Sequence, residues 1–440
     1  MPGEREPERR LSAFDTSMVV VSLVIGIGIF RTPALVAAST GTAGSFLVAW
    51  AIGGAVSLVG ALVFAEIGSR FPRAGGYYKV VAHCWHPMPA FLLNWSQVVM
   101  QGAGAAGVAV IGSEYLLRLS GRDPQGTRTV LFAAILIGLL VALNAAGIRS
   151  GVRAQNLLSV SKIALIATLA VAGLVLAPGA PQAAGSDPPI PPAAAPAGLL
   201  TAMVAVFYTY GGAQNSMNLA GDVKRENRAL PLGVLGGMLL VTALYLAVNA
   251  AYVRALGSAG VAGSPLVAAD LARVSLGGAA EAFVSLAIFL SAAGFVNATI
   301  LHVPRSYLAM AHDRLLPPVL GRIGARTQTQ GPGLALFSAT ALLPLLFLGS
   351  FEKLLAYVMF TDALSLAAVT SCLFVLRRRG EGGEMAWRMP GYPWLPALFA
   401  LVVLGVAVDV LLRQTPLALA GAAVVAAGIP IYVLMKRTWR

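Results

Sequence analysis

Long runs without charge decide what this chain can fold into. Twelve apolar segments, roughly 15–38, 44–68, 90–117, 129–147, 154–177, 197–219, 231–253, 280–303, 333–350, 354–376, 394–412 and 416–435, cover most of its 440 residues. Each is close to the ~20 mostly apolar residues with which a helix crosses a bilayer. Charged residues make up only 11% of the chain, against about 25% in ordinary globular proteins. A soluble surface needs that charge to stay dispersed, so a soluble enzyme, a nucleic-acid-binding domain, a fibrous repeat and a disordered chain are excluded. The expected fold is an all-α membrane protein of twelve transmembrane helices, with membrane lipid as its surroundings.

The net charge of +13 would suggest nucleic acid in a soluble protein. Here the basic residues lie in short connections between apolar runs. With alternating spans, 22 Lys and Arg residues fall on the side of the N-terminus and 7 on the other. That excess places the N-terminal side in the cytoplasm, and an even number of spans puts both termini there. The expected location is the cytoplasmic membrane. Met1 to Arg10 is polar and lacks the apolar stretch of a cleaved signal peptide. The first span is therefore expected to direct insertion. Cys84, read as lying in a cytoplasmic loop, and Cys372, in a span, offer no disulfide framework and no metal-ligand spacing.

Two spans are interrupted. The first reads Val24-Ile25-Gly26-Ile27-Gly28-Ile29-Phe30-Arg31-Thr32-Pro33, with two glycines and a proline in mid-span. Glycine gives up helix propensity, and proline disfavours helix in the residue before it. The second, Phe207-Tyr208-Thr209-Tyr210-Gly211-Gly212-Ala213-Gln214-Asn215, joins a Gly-Gly step to polar side chains in span six. A lone Gly-x-Gly commonly serves close helix packing. Interrupted spans in corresponding places of two halves point instead to a transporter binding site. Freed N–H groups at the start of a half-helix hold an anion, and freed carbonyls hold a cation. A zwitterionic amino acid uses both.

These stretches resemble the amino acid–polyamine–organocation superfamily of transporters. Gly26 to Phe30 with Pro33 resembles its first helix. Ala65-Glu66-Ile67-Gly68 leading to Phe71-Pro72-Arg73-Ala74-Gly75-Gly76-Tyr77 resembles the end of its second helix and the loop after it. Lys224 to Pro231 and Pro304-Arg305-Ser306-Tyr307 with Asp313-Arg314-Leu315-Leu316-Pro317 match later segments in order. The Phe71–Tyr77 wording and the Tyr210-x-Gly212 step are most similar to the L-amino-acid-transporter-like branch.

The resemblance implies a LeuT-like core of two inverted five-helix repeats with discontinuous helices one and six, plus two extra helices. It divides the chain into a cytoplasmic tail 1–14, a first repeat 15–177, an extracellular Pro/Ala-rich loop 178–196, a second repeat 197–376, a cytoplasmic loop 377–393, two further helices 394–435 and a cytoplasmic tail 436–440. It implies that the amides of Ile27, Gly28 and Ile29 hold a substrate carboxylate. The carbonyls near Val24 and Ile25, and near Phe207 and Tyr208, would hold its amino group. Tyr208 falls where the family carries a gating aromatic, and Tyr210 matches a tyrosine of the closer branch; Gly26, Gly211 and Gly212 complete the expected site. Lys162, read from the residues alone, is a lysine reaching for the cytoplasmic face; the resemblance makes it a substitute for a sodium ion that tethers helices one and five. The chain departs from the family at Ile27, where a serine is common, and at Gly211, where a polar residue is often seen.

Charges and polar groups at membrane depth are functional candidates. Asp362 in span ten could read a substrate side chain, relay protons or satisfy a helix partner. Asn297 in span eight could contact helix one, and His302 is read as packed or interfacial. Arg31 is expected to attract anions or to reach the outer interface, Glu66 to join an inner gating network, and Asp15 to begin or cap helix one. Gly102-Ala-Gly104-Ala-Ala-Gly107 fits a dinucleotide pattern by letter but has no preceding strand, and is read as helix packing. GxxxxGK[ST], HExxH and GxSxG are absent from the sequence, so no catalytic residue, metal or cofactor is expected. The leading expectation is a secondary transporter of neutral L-amino acids, sodium-independent, working as an exchanger or by proton-coupled uptake. Transport of cationic amino acids or polyamines is the alternative, and a channel or intramembrane enzyme the reading from another class. The sequence leaves open an accessory subunit or an oligomer.

Overall fold

The computed structural model describes residues 12–71, 76–122, 126–145, 152–179, 195–214, 223, 226–312, 314–324, 329–383 and 387–438. Among them the regular elements are fifteen α-helices and short 3₁₀ turns. In chain order these helices are α1 Ala13–Val24, α2 Thr32–Thr40, α3 Ala43–Arg70, α4 Gly76–Cys84, α5 Pro87–Leu119, α6 Thr127–Ala145, α7 Val152–Val175 and α8 Ala195–Tyr210. Then come α9 Glu226–Gly263, α10 Val267–Leu276, α11 Gly278–His312, α12 Gly331–Leu348, α13 Phe351–Arg378, α14 Trp394–Arg413 and α15 Thr415–Thr438. Eight of them, α3, α6, α9 and α11 to α15, are long and apolar enough to cross a membrane. This is a multi-pass membrane protein.

The other four apolar segments fall on α1 with α2, on α5, on α7 and on α8. Helix α5 has 33 residues but carries Gln97, Gln101 and Glu114. Gln97 and Glu114 find partners inside the molecule, in Asp362 and Arg31, whereas Gln101 stands exposed; the helix packs against α6, α11, α12, α13 and α15. Leu401, Leu412 and Phe347 stand 68%, 75% and 83% exposed on outer faces, while Glu66, Asn249 and Thr209 are buried. Apolar outside and polar inside is the arrangement a hydrocarbon solvent selects.

Two short helices lie between the expected spans. Cys84 ends α4 rather than sitting in a loop, and its Sγ lies 3.8 Å from the Cys372 carbonyl, so the two cysteines far apart in sequence are neighbours, both as free thiols. Helix α10 is amphipathic, burying Val267, Ala268 and Leu271. Asp15 does not begin α1. Ser12 is the N-cap, and Asp15 closes a capping box by accepting from the Ser12 amide at 2.9 Å. The Gly102 motif fits its packing reading at one end: a Cβ on Gly102 would meet Thr340 Oγ1 of α12 at 2.3 Å.

Helix α9 runs along the centre of the molecule against α1, α3 and α7, and α2 packs on α8. Small residues permit this. A Cβ on Gly53 of α3 would stand 2.0 Å from the Val206 Cγ1 of α8. The approach brings the ends of α1 and α8 side by side.

Candidate functional site

Helix α1 stops at Val24. Ile25 leaves helical geometry at φ −71°, ψ 83°, Gly28–Phe30 make a single 3₁₀ turn, and α2 starts at Thr32 with Pro33 in its first turn. Proline is well placed there because its missing N–H belongs to a position without an intrahelical acceptor. Helix α8 stops at Tyr210, and Gly212 follows at φ 114°. The end of α8 touches the region after α1: a Cβ on Gly212 would lie 2.2 Å from the Leu23 carbonyl oxygen, and one on Gly28 would lie 3.1 Å from Thr209 Oγ1. Thr32 Oγ1 and Thr209 Oγ1 are 2.6 Å apart across this contact.

Backbone groups decide what the contact offers. Gly26 N donates to the Val24 carbonyl, Phe30 N to Ile27 and Arg31 N to Gly28. Among the described residues, the amides of Ile27, Gly28 and Ile29 donate no backbone hydrogen bond, and the carbonyls of Ile25 and Gly26 accept none. Ile27, Gly28 and Ile29 are buried, whereas Gly26, Tyr208, Gly211 and Gly212 are partly open. Buried peptide groups require partners, and a site that supplies unpaired donors beside unpaired acceptors is suited to a small zwitterion. The Val24 carbonyl is differently placed. It already accepts from Gly26 N at 2.7 Å and from the Tyr245 hydroxyl at 3.2 Å.

Three tyrosines fix this irregular backbone. Tyr245 of α9 also reaches the Thr209 carbonyl at 3.3 Å, bridging the two interruptions. Tyr115 of α5 donates to the Phe30 carbonyl at 2.8 Å, and Tyr252, one heptad beyond Tyr245 on α9, lies 3.5 Å from the Ile29 carbonyl. The Tyr210 ring packs with those of Trp50 and Tyr245, and its hydroxyl reaches the Trp50 carbonyl. The sequence reading passed over Tyr115, Tyr245 and Tyr252. Their signal was a phenol inside an apolar helix, where a buried hydroxyl needs a partner.

Arg31 neither reaches an interface nor waits for an anion. Its side chain is buried; Nε donates to Glu114 Oε2 of α5 at 3.1 Å and Nη2 donates to Glu352 Oε1 of α13. The guanidinium also stands 5.9 Å from the ring centre of Phe351, and Phe351 meets the Tyr208 ring edge to face at 5.6 Å. The first residue past the 3₁₀ turn thus joins α2, α5 and α13 over one side of the interruptions.

The remaining expected residues sit elsewhere. Asn297 accepts from Asn144 Nδ2 of α6 at 2.8 Å. Asp362 accepts from Gln97 Nε2 of α5 at 3.3 Å. The Lys162 side chain is buried in α7 and makes no hydrogen bond or ion pair among the described residues, so the tether to helix one is not among the observed contacts. Glu66 is fully buried and joins Arg70, Arg377 and the Met389 amide. The His302 side chain, Asn215, Pro72 to Gly75, Lys224, Arg225 and Asp313 lie outside the described residues. No group of three or more His, Cys, Asp or Glu residues suited to a metal occurs among the described residues.

Known proteins of this kind are similar along nearly the whole chain. The family model described as amino acid permease matches residues 11–433. The serine/threonine exchanger SteT of Bacillus subtilis is 26% identical over 425 residues, 95% of each chain. The human cystine/glutamate transporter is 26% identical over 446 residues, covering 98% of this chain and 87% of its own. The mouse b(0,+)-type amino acid transporter 1 is 27% identical over 391 residues, 88% of this chain and 79% of its own.

Proposed function

The chain belongs to the amino acid permease family, and on that premise we propose that it moves neutral L-amino acids across the cytoplasmic membrane by alternating access, as a sodium-independent exchanger. The observation that carries this reading is that, among the described residues, the amides of Ile27, Gly28 and Ile29 and the carbonyls of Ile25 and Gly26 beside them make no backbone hydrogen bond. The amides take the substrate carboxylate. The carbonyls take its ammonium, and Phe207, Tyr208, Tyr210, Gly211 and Gly212 form the facing wall. Exchange is in keeping with the serine/threonine exchanger among the similar proteins. Neutral substrates are favoured because, among the described residues, the acids Glu114 and Glu352 are turned to Arg31 and Asp362 to Gln97 rather than to a cationic substrate side chain.

In this reading twelve spans form two inverted five-helix repeats, 15–177 and 197–376, with 394–435 added and both termini cytoplasmic. The Lys162 ammonium, buried and without an ion pair among the described residues, supplies the positive charge that a sodium ion would bring. Arg31, Phe351 and Tyr208 form the outer closure.

The test is uptake of labelled alanine and leucine into proteoliposomes in sodium-free buffer, with and without unlabelled amino acid inside, at two external pH values. Saturable uptake that needs internal amino acid is expected. Uptake into empty vesicles that rises with external acidity would replace exchange by proton symport. Transport of arginine or putrescine alone would overturn the neutral assignment.

A further inference from the structure

At the opposite end of the molecule from Arg31, four arginines converge on one cavity. Its volume is about 480 Å³, and Arg70 from the end of α3, Arg377 and Arg378 from the end of α13, and Arg388 and Tyr392 from the connection to α14 line it. Basic residues near membrane surfaces are usually scattered, each fixing topology. Here three separate segments of chain point them into a single concavity.

The floor of the cavity is fixed. Glu66 Oε1 accepts from Arg70 Nε at 2.6 Å and Arg377 Nε at 2.7 Å; Oε2 accepts from Arg377 Nη2 at 2.7 Å and Met389 N at 2.8 Å. This one carboxylate is saturated by two guanidiniums and leaves one positive charge in excess. Arg377 is further held 3.9 Å over the Tyr392 ring, and Arg70 Nη1 donates to the Glu381 carbonyl. The Glu381 carboxylate is directed to His83 and Arg379 instead of into the cavity. Above this floor Arg378 and Arg388 are exposed and make no hydrogen bond or ion pair among the described residues. From 377 to 388 the sequence has four arginines against Glu381 and Glu384, so positive charge stays in excess whatever Glu384 contacts.

Guanidinium forks match phosphate oxygens two at a time. Exposed Arg378 and Arg388, above a floor that Arg70 and Arg377 keep positive while their forks hold Glu66, form a phosphate-recognising arrangement at the ends of α3 and α13. We propose that this cavity binds a phosphate group, as carried by an anionic phospholipid headgroup or by a free phosphate species, and that its occupation ties α3 to α13 and to the connection before α14. The site lies apart from the helix interruptions and goes beyond the transport reading.

The full chain in phosphatidylcholine nanodiscs supplies the test, read as its thermal unfolding midpoint. One arm adds increasing fractions of phosphatidylglycerol, and the other adds inorganic pyrophosphate to the phosphatidylcholine discs. The Arg378→Gln/Arg388→Gln variant leaves the Glu66 contacts intact, and each protein is compared with its own starting midpoint. A saturating rise with phosphatidylglycerol that falls by at least half in the variant supports the site with a lipid headgroup as the source. The same pattern with pyrophosphate assigns a soluble source. The Arg378→Lys/Arg388→Lys variant keeps the charge but not the fork, and is expected to recover only part of the rise. Equal rises in all three proteins, or no rise with either probe, would overturn the proposal.

Discussion

At position 212 the backbone runs at φ 114°, where L side chains are rarely found, and the space a Cβ would take is filled by the Leu23 carbonyl 2.2 Å away. Gly212→Ala therefore has to push the two helix interruptions apart. It is expected to cut the initial exchange rate by at least tenfold and to lower the unfolding midpoint. At Gly26 the nearest atom to a Cβ is the Val24 oxygen at 4.0 Å, so Gly26→Ala is expected to stay folded with an unchanged midpoint. Paired transport and unfolding measurements on the two variants check the difference. Tyr245→Phe keeps the ring and removes only the hydroxyl that bridges the Val24 and Thr209 carbonyls. A lost hydrogen bond of this kind costs about 1 kcal/mol, and denaturant titration of the purified variant is expected to show a loss of that size.

Between elements, Arg31 is the point where α2, α5 and α13 meet, and its two acids are unequal. The Glu114 side chain is 8% exposed and that of Glu352 38%. Removing the partner of a buried charge costs about 3–5 kcal/mol, whereas a more exposed ion pair contributes about 0–1 kcal/mol. Glu114→Ala is thus expected to be the more destabilising change in thermal unfolding, and Glu352→Ala to spare stability while loosening the hold of α13 on Arg31. The expected result for Glu352→Ala is faster outward release of substrate, read as efflux from preloaded proteoliposomes. These contacts were not legible in sequence, because Arg31 pairs with residues 83 and 321 positions away. The stop of α1 at Val24 and the fresh start at Thr32 were legible, since Gly26, Gly28 and Pro33 are local signals that act on the backbone where they stand. Helices α4 and α10 were missed because they are short and carry polar faces, so no hydropathy run announces them. Asn297 and Asp362 were marked for being polar at depth, and each meets a polar partner on another helix, Asn144 and Gln97.

For the whole molecule, solvent decides the architecture. Composition and run length were enough to anticipate an all-helical membrane protein, because a bilayer leaves few alternatives for the backbone. What hydropathy could not give is the neighbours of α5: Gln97 and Glu114 became intelligible only with Asp362 and Arg31 beside them. If substrate sits where the ends of α1 and α8 meet, it shields that contact from a thiol reagent. In a background with Cys84 and Cys372 replaced by serine and exchange retained, Gly26→Cys and Asp362→Cys are reacted with a small methanethiosulfonate, with and without saturating L-amino acid substrate. Substrate is expected to slow labelling at position 26 several-fold and to leave position 362 unchanged. Protection at 362 with none at 26 would contradict that placement.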